Sequence, residues 1–311
     1  MHFLLQLLIL AVGFVMLVKG SDWFVDGACG IAEKFHIPQL IIGLTIVAMG
    51  TSAPEAAVSL TAAHEGVADI TIGNIIGSNI LNIAIILGLS AAIVPLAVAR
   101  STIRVEMPFM IGITAVFGLL GMDGRITFFD GVILIVLFIA YLAYLIYMAK
   151  KHPENVDEEE SKHLNIWQSL GMTAGGLIVV VLGSRLAVDS ASEMARILGM
   201  SERFIGLTIV ALGTSLPELF TSVTAARKGN ADIAIGNIVG SNVFNILFVV
   251  GLSSLIIPVP FQAKFLIDTV VAFVIALFLL VVCIKDRKMP RWSGFAMLGL
   301  YAVYFAYLLM H

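Results

Sequence analysis

The sequence predicts an all-α polytopic membrane protein of ten transmembrane helices, arranged as two inverted five-helix repeats. Three observations lead there. Of 311 residues, 59% are hydrophobic and only 13% charged, where soluble domains carry about a quarter charged residues. Uncharged runs long enough to cross a bilayer recur along the whole chain. Finally, the stretch from Gly13 to Gly88 returns without a gap at an offset of 163 residues.

The apolar excess, with a mean hydropathy of +1.03, exceeds what a soluble domain of this length can hide. It excludes a soluble enzyme, a disordered chain and a nucleic-acid binder, which would need a basic field. Cys29 and Cys283 match no disulfide or metal-site spacing. No nucleophile–base pair or nucleotide-binding loop is apparent, so no enzymatic activity and no cofactor are expected.

A bilayer crossing takes roughly 20 mostly apolar helical residues. Long uncharged runs at 1–18, 70–99, 131–149, 164–184, 233–263 and 292–311 supply six spans, and shorter ones at 35–54, 107–122, 204–217 and 269–284 supply four. In chain order the helices are expected near 3–30, 38–63, 69–94, 104–121, 128–149, 166–195, 203–226, 232–257, 265–284 and 292–309. The first lacks a basic flank and a small-residue cleavage site, and its Gly13, Gly20, Ser21, Val25 and Asp26 return as Gly176, Gly183, Ser184, Val188 and Asp189. It is therefore read as a span and not a signal peptide. The polar stretch 150–165 reads as a solvated acidic linker on the cytoplasmic side, dividing a first repeat (1–149) from a second (166–311). With both termini outside, twelve Lys and Arg fall in inside loops and four in outside loops, the asymmetry expected of an inner-membrane protein.

The duplication is concentrated in polar, helix-breaking segments. Residues 43–61 and 206–224 are identical at thirteen of nineteen positions, and 69–88 and 232–251 at twelve of twenty. Because each copy has an odd number of helices, the second enters the membrane from the opposite side. That is an architecture of secondary transporters, which bind substrate near the midplane where the repeats meet.

Glu55 and its mate Glu218 lie in the middle of apolar spans. A carboxylate there costs at least about 2.5–3.5 kcal/mol on insertion scales, so it faces a cavity and a partner. In GTSAPE, Thr51 and Ser52 are expected on the same helix face as Glu55, four and three residues away. Pro54 and Pro217 are expected to free carbonyls near Ala48–Thr51 and Ala211–Thr214. The next helix of each copy adds a stripe of Asn74, Ser78 and Asn82, or Asn237, Ser241 and Asn245. Gly73 and Gly77, like Gly236 and Gly240, allow close helix approach. All these donors are hard oxygens, which suit Ca²⁺ better than Mg²⁺ or a transition metal. Two ionised glutamates carry −2, which one Ca²⁺ or two Na⁺ neutralise. An empty, doubly charged site does not cross a low-dielectric state, so the cage predicts exchange.

GTSAPE (50–55) with GNIIGSN (73–79), and GTSLPE (213–218) with GNIVGSN (236–242), resemble the alpha repeats of the sodium/calcium exchanger family, in the wider cation/calcium exchanger superfamily. The chain is similar to compact prokaryotic members, without the large cytoplasmic calcium-sensing insert of animal exchangers. The resemblance implies electrogenic antiport of several Na⁺ against one Ca²⁺ by alternating access, with these ions and membrane lipid as partners and a monomeric chain. It implies that Glu55 and Glu218 are the central ion-binding acids. Ala48, Thr51, Ser52 and Ser78 would be ligands in the first repeat, and Ala211, Thr214, Ser215 and Ser241 in the second, with Asn82 and Asn245 beside them. Asn245 departs from members that carry Asp there, including potassium-dependent ones. By the same resemblance the first and sixth helices are the moving pair. The rival is a Ca²⁺/H⁺ exchanger using the same glutamates, although proton-coupled relatives typically carry an acid where this chain has Gly77 and Gly240. A passive cation channel would need no obligatory exchange.

Overall fold

The computed structural model describes residues 2–151, 164–200, 209 and 211–310. Almost all of them are helical. In chain order the helices are α1 (Phe3–Phe35), α2 (Gln39–Thr51), α3 (Ala53–His64), α4 (Ile70–Ile93), α5 (Thr102–Asp123), α6 (Phe128–Lys151), α7 (Ile166–Ile197), α8 (Ala211–Thr214), α9 (Leu216–Arg227), α10 (Ala231–Ile256), α11 (Ala263–Asp286) and α12 (Arg291–Met310). Among the described residues eight helices are long and apolar enough to cross a membrane, and α2 with α3 makes a ninth, bent by 49°. The span expected over 203–226 has residues 203–208 and 210 outside the described residues, as does most of the expected linker (152–163).

The ends of these helices follow local chemistry. α1 continues past the expected residue 30 to Phe35, because Ala32, Glu33 and Lys34 favour helix. His36 then turns left-handed (φ 54°) two residues before Pro38. α7 opens on a capping box, in which the Asn165 side chain accepts from the Gln168 amide at 2.8 Å and the Gln168 side chain accepts from the Asn165 amide at 3.0 Å. The single helix expected over 38–63 is two, because the chain breaks at Ser52 (φ −81°, ψ 6°) just before Pro54.

Two features add detail to the all-α expectation. Wide π-helical turns occur at Gly43–Val47, Asn82–Leu87, Thr102–Glu106 and Asn245–Val250. Two short antiparallel pairs tie loops together: β1 (Leu96–Ala97) with β4 (Lys288–Met289), and β2 (Arg125–Ile126) with β3 (Val259–Pro260). Leu96 pairs with Met289 and Val259 with Ile126, so the 163-residue offset converts one register into the other. The left-handed turns obey the same offset, at His36 and Gly199, Gly66 and Gly229, and Gly124 and Arg287. The duplication thus extends from side chains to backbone turns.

α4 and α10 form the inner layer: 78% and 94% of their most apolar stretches lie inside the protein, against 17% for α1. The outer helices present large apolar side chains such as Leu8, Phe129 and Val303, each more than 60% exposed. Such a face is stable against lipid and not against water. α1 and α7 lie alongside each other on a stripe of glycines. A Cβ on Gly20 would sit 2.8 Å from the Val180 nitrogen, and one on Gly176 2.5 Å from the Phe24 nitrogen. No side chain fits between the two backbones there.

Gly176→Leu is therefore expected to force α1 off α7 and destabilise the protein by about 1–3 kcal/mol. Gly175→Leu should be near neutral, because a Cβ there meets nothing within 4 Å. Thermal melts of the two detergent-solubilised variants check the contrast.

Candidate cation site

The site forms where the broken helices α2–α3 and α8–α9 meet the inner pair α4 and α10. Ser52 (ψ 6°) and Ser215 (ψ 5°) each precede a new helix, with proline in its first two positions and Glu55 or Glu218 in its first turn. A helix N-terminus offers free N–H groups and a positive dipole end, which favours a carboxylate there. Both glutamates are completely buried.

The structure brings the two acids together through serines of the opposite half. Ser52 Oγ donates to Glu218 Oε1 at 2.8 Å, and Ser215 Oγ donates to Glu55 Oε1 at 3.2 Å. Ser78 Oγ lies 3.4 Å from Glu55 Oε1 and 3.3 Å from Ser215 Oγ. This corrects the expectation that Ser52 shares a face with its own Glu55. The helical spacing argument fails because the helix breaks at Ser52 itself, and the hydroxyl swings across to the other repeat.

The Ala48 carbonyl also differs from expectation. It is not freed by Pro54: it accepts from the Ser52 amide at 3.0 Å and lies within reach of the hydroxyls of Thr51 (3.3 Å) and Ser241 (3.4 Å). Thr51 Oγ1 also contacts Asn237 Oδ1 at 3.0 Å. Thr51, Ser52, Ser241, Asn82 and Asn245 are fully or almost fully buried, as are Ser78 and Ser215. Thr214 is half-buried where its mate Thr51 is buried, and Asn74 is half-buried where Asn237 is buried. The side chain of Ala211 is outside the described residues; its backbone begins α8.

Asparagines join the halves. Asn82 Nδ2 donates to Asn242 Oδ1 at 2.9 Å, and Asn245 Nδ2 donates to Asn79 Oδ1 at 3.1 Å. Asn79 and Asn242 also donate to each other's backbone carbonyl, at 3.2 and 3.1 Å. Asn79 and Asn242, which close the GSN segments, are not among the site residues expected from sequence. Their recurrence at the 163 offset was the available signal. Asn74 and Asn237 do not point along the expected polar stripe alone: they donate to Ser59 and Ser222 at 3.0 and 2.9 Å, fastening α3 to α4 and α9 to α10.

What this arrangement leaves over is specific. Glu55 Oε2, Glu218 Oε2, Asn82 Oδ1 and Asn245 Oδ1 are buried acceptors with no hydrogen-bond partner. A buried polar atom is costly unless satisfied. All four are hard oxygens and fall in repeat pairs, the donor type that a cation preferring oxygen takes. Among the described residues no group of three or more His, Cys, Asp or Glu could hold a metal.

Replacing Asn242 by Ala strands the amide of Asn82 and the backbone carbonyl of Asn79, at an expected cost of about 1–3 kcal/mol. Asn79→Ala removes the other two bonds, stranding the Asn245 amide and the Asn242 backbone carbonyl. Because all four bonds belong to one network, the double change is expected to depart from the sum of the two single changes. A double-mutant cycle of melting temperatures measures that coupling.

Comparison with known proteins agrees over nearly the whole length. The model of the sodium/calcium exchanger protein family matches twice, over residues 5–147 and 168–310. The chain is 35% identical over 320 residues to the inner membrane protein YrbG of Escherichia coli (strain K12), covering 98% of this chain and 97% of that one. It is 33% identical over 337 residues to the sodium/calcium exchanger MaX1 of Methanosarcina acetivorans, covering 96% of each. Solved structures of the sodium-calcium exchanger NCX_Mj superpose with a TM-score of 0.86 at 35% identity, over 98% of this chain and 99% of that one. With its apolar outer helices, its duplicated serine-, asparagine- and glutamate-lined interior and both halves matched, this chain belongs to the sodium/calcium exchanger family, a family of membrane transport proteins.

Proposed function

We propose that this protein is a secondary active antiporter exchanging Na⁺ for Ca²⁺ by alternating access. The observation that carries it is the set of four unpartnered oxygens, on Glu55, Glu218, Asn82 and Asn245, enclosed where the two repeats meet. Ca²⁺ takes about 6–8 oxygen ligands in flexible geometry. The two carboxylates and the hydroxyls of Thr51, Ser52, Ser78, Thr214, Ser215 and Ser241 supply such a set, joined by the carbonyls of Ala48 and Ala211 once the Thr51 and Ser241 hydroxyls on the Ala48 carbonyl turn to the ion. One Ca²⁺ or two Na⁺ would cancel the charge of both glutamates, and a third Na⁺ makes the cycle electrogenic. An unloaded site would have to pass an occluded state with two uncompensated charges, which low dielectric forbids. Obligatory exchange follows from that one penalty.

The architecture proposed with it is ten spans in two inverted repeats, residues 1–149 and 166–311, with 150–165 as a cytoplasmic linker and both termini on the opposite side. Hydrogen bonds that interconvert under the 163-residue offset support this reading. The family names of the relatives, including the sodium/calcium exchanger MaX1, support the choice of ions.

Proteoliposomes loaded with Na⁺ should take up Ca²⁺ when diluted into Na⁺-free medium, and an imposed membrane potential should change the rate. Uptake indifferent to Na⁺ but driven by a pH gradient would instead establish Ca²⁺/H⁺ exchange. Glu55→Gln and Glu218→Gln should each reduce Ca²⁺ flux by at least about 100-fold, given the cost of losing a charge-assisted ligand, with melting temperature retained. Undiminished flux in both single variants would remove these acids from the site.

A further inference from the structure

The two repeats are alike in sequence but are not in the same conformation, and the difference is centred on one pair of serines. Ser184 of α7 is buried, and its hydroxyl donates to the Gly213 carbonyl at 2.7 Å. Gly213 lies in α8, two residues before the break at Ser215. One turn further along α7, Val188 also packs directly on Gly213. The second repeat's helix break is thus docked onto its own long helix by a hydrogen bond and a side-chain contact.

The first repeat holds the same residues in another arrangement. The mates of Ser184, Val188 and Gly213 are Ser21, Val25 and Gly50. Ser21 is fully buried, yet its hydroxyl has no partner. A Cβ on Gly50 would meet Phe24 of α1 and Leu177 of α7, at 3.3 and 3.1 Å, and not Val25. Relative to its own helix break, α1 is therefore placed differently from α7. A further contact holds α1 there: Lys228, just past α9, pairs with Asp22 at 3.2 Å and Asp26 at 3.0 Å. Among the described residues α7 has no such pair: the mates of Lys228, Asp22 and Asp26 are Glu65, Arg185 and Asp189, and no ion pair joins Glu65 to Arg185.

We infer that Ser21 and Ser184 are positioning residues that trade one hydrogen bond between the two halves of the transport cycle. In the state seen here Ser184 holds Gly213. In the opposite state Ser21 holds the Gly50 carbonyl, and Ser184 is the unpartnered one. The hydroxyl left without an acceptor carries a cost in either state, so the pair biases which helix break is held closed. The inference rests on the exchange function proposed above.

The test is amide hydrogen exchange of full-length protein in lipid nanodiscs, comparing Ser184→Ala with Ser21→Ala. Removing the Ser184 bond destabilises the state seen here. Amides of 211–215 should then exchange faster and those of 48–52 more slowly, by roughly two- to tenfold, the worth of one hydrogen bond. Ser21→Ala should shift both segments the opposite way, and Ser184→Thr, which keeps the hydroxyl, should follow the wild type. Shifts of the same sign in both alanine variants, or none, would overturn the inference. Wild-type Ca²⁺ flux is measured on the same purified protein in proteoliposomes: Ca²⁺ uptake without Na⁺ dependence there would instead overturn the exchange function on which the inference rests.

Discussion

Two carboxylates enclosed by protein inside a membrane are the constraint from which the rest of this structure follows. Left to apolar surroundings, each would be too costly to keep. The chain meets that cost locally. Each acid sits in the first turn of a helix that starts inside the protein, and each accepts a serine hydroxyl supplied by the other repeat. None of these donors neutralises the charge. The remaining oxygen of each carboxylate has no protein partner, so each acid remains short of one interaction, the one that the proposed function assigns to a cation. A salt bridge to lysine or arginine would have made the acids more comfortable and useless for binding ions.

The same constraint accounts for the asparagines. α4 and α10 are the most enclosed helices, and a helix surrounded by apolar side chains has little to define its register. The reciprocal bonds among Asn79, Asn82, Asn242 and Asn245 give the pair one register, because each amide must find its partner or remain unsatisfied. Those bonds use the nitrogens and leave two carbonyl oxygens free. The network that fixes the helices thereby also points acceptors inward. The π-helical turns beginning at Asn82 and Asn245 reinforce this, since the extra residue re-aims the side chain at which the turn begins.

Much of this was legible in the sequence. Spans were visible as apolar runs, the duplication as an ungapped offset, and Glu55 and Glu218 as acids where lipid tolerates none. What was not legible depended on a position where helical periodicity stops. Ser52 was placed on the face of Glu55 by counting residues along one helix, but the proline-linked break lies at Ser52 itself, so its hydroxyl reaches Glu218. Asn79 and Asn242 were overlooked because a single asparagine in an apolar helix carries no directional signal; only the packing of one repeat against the other shows that each faces its mate. The short strand pairs were equally hidden, since two-residue strands leave no alternating pattern to read.

The symmetry that made the site readable is also what the molecule departs from. Thr51 and Asn237 are buried while Thr214 and Asn74 are half-buried, and Gly213 is docked while Gly50 is not. Two copies of one sequence in a single chain have the same local preferences, so a difference between them cannot be written in the repeated motifs. It is maintained by contacts that lie outside them, such as Lys228 with Asp22 and Asp26, whose mates across the repeat are Glu65, Arg185 and Asp189. Alike halves that adopt two packings are the kind of element that can be bistable, and under the inference drawn above exchanging their roles gives each half a packing that its mate already adopts. On the proposed function, the duplicated glutamates bind the cation and the duplicated scaffold around them supplies two ways of enclosing it.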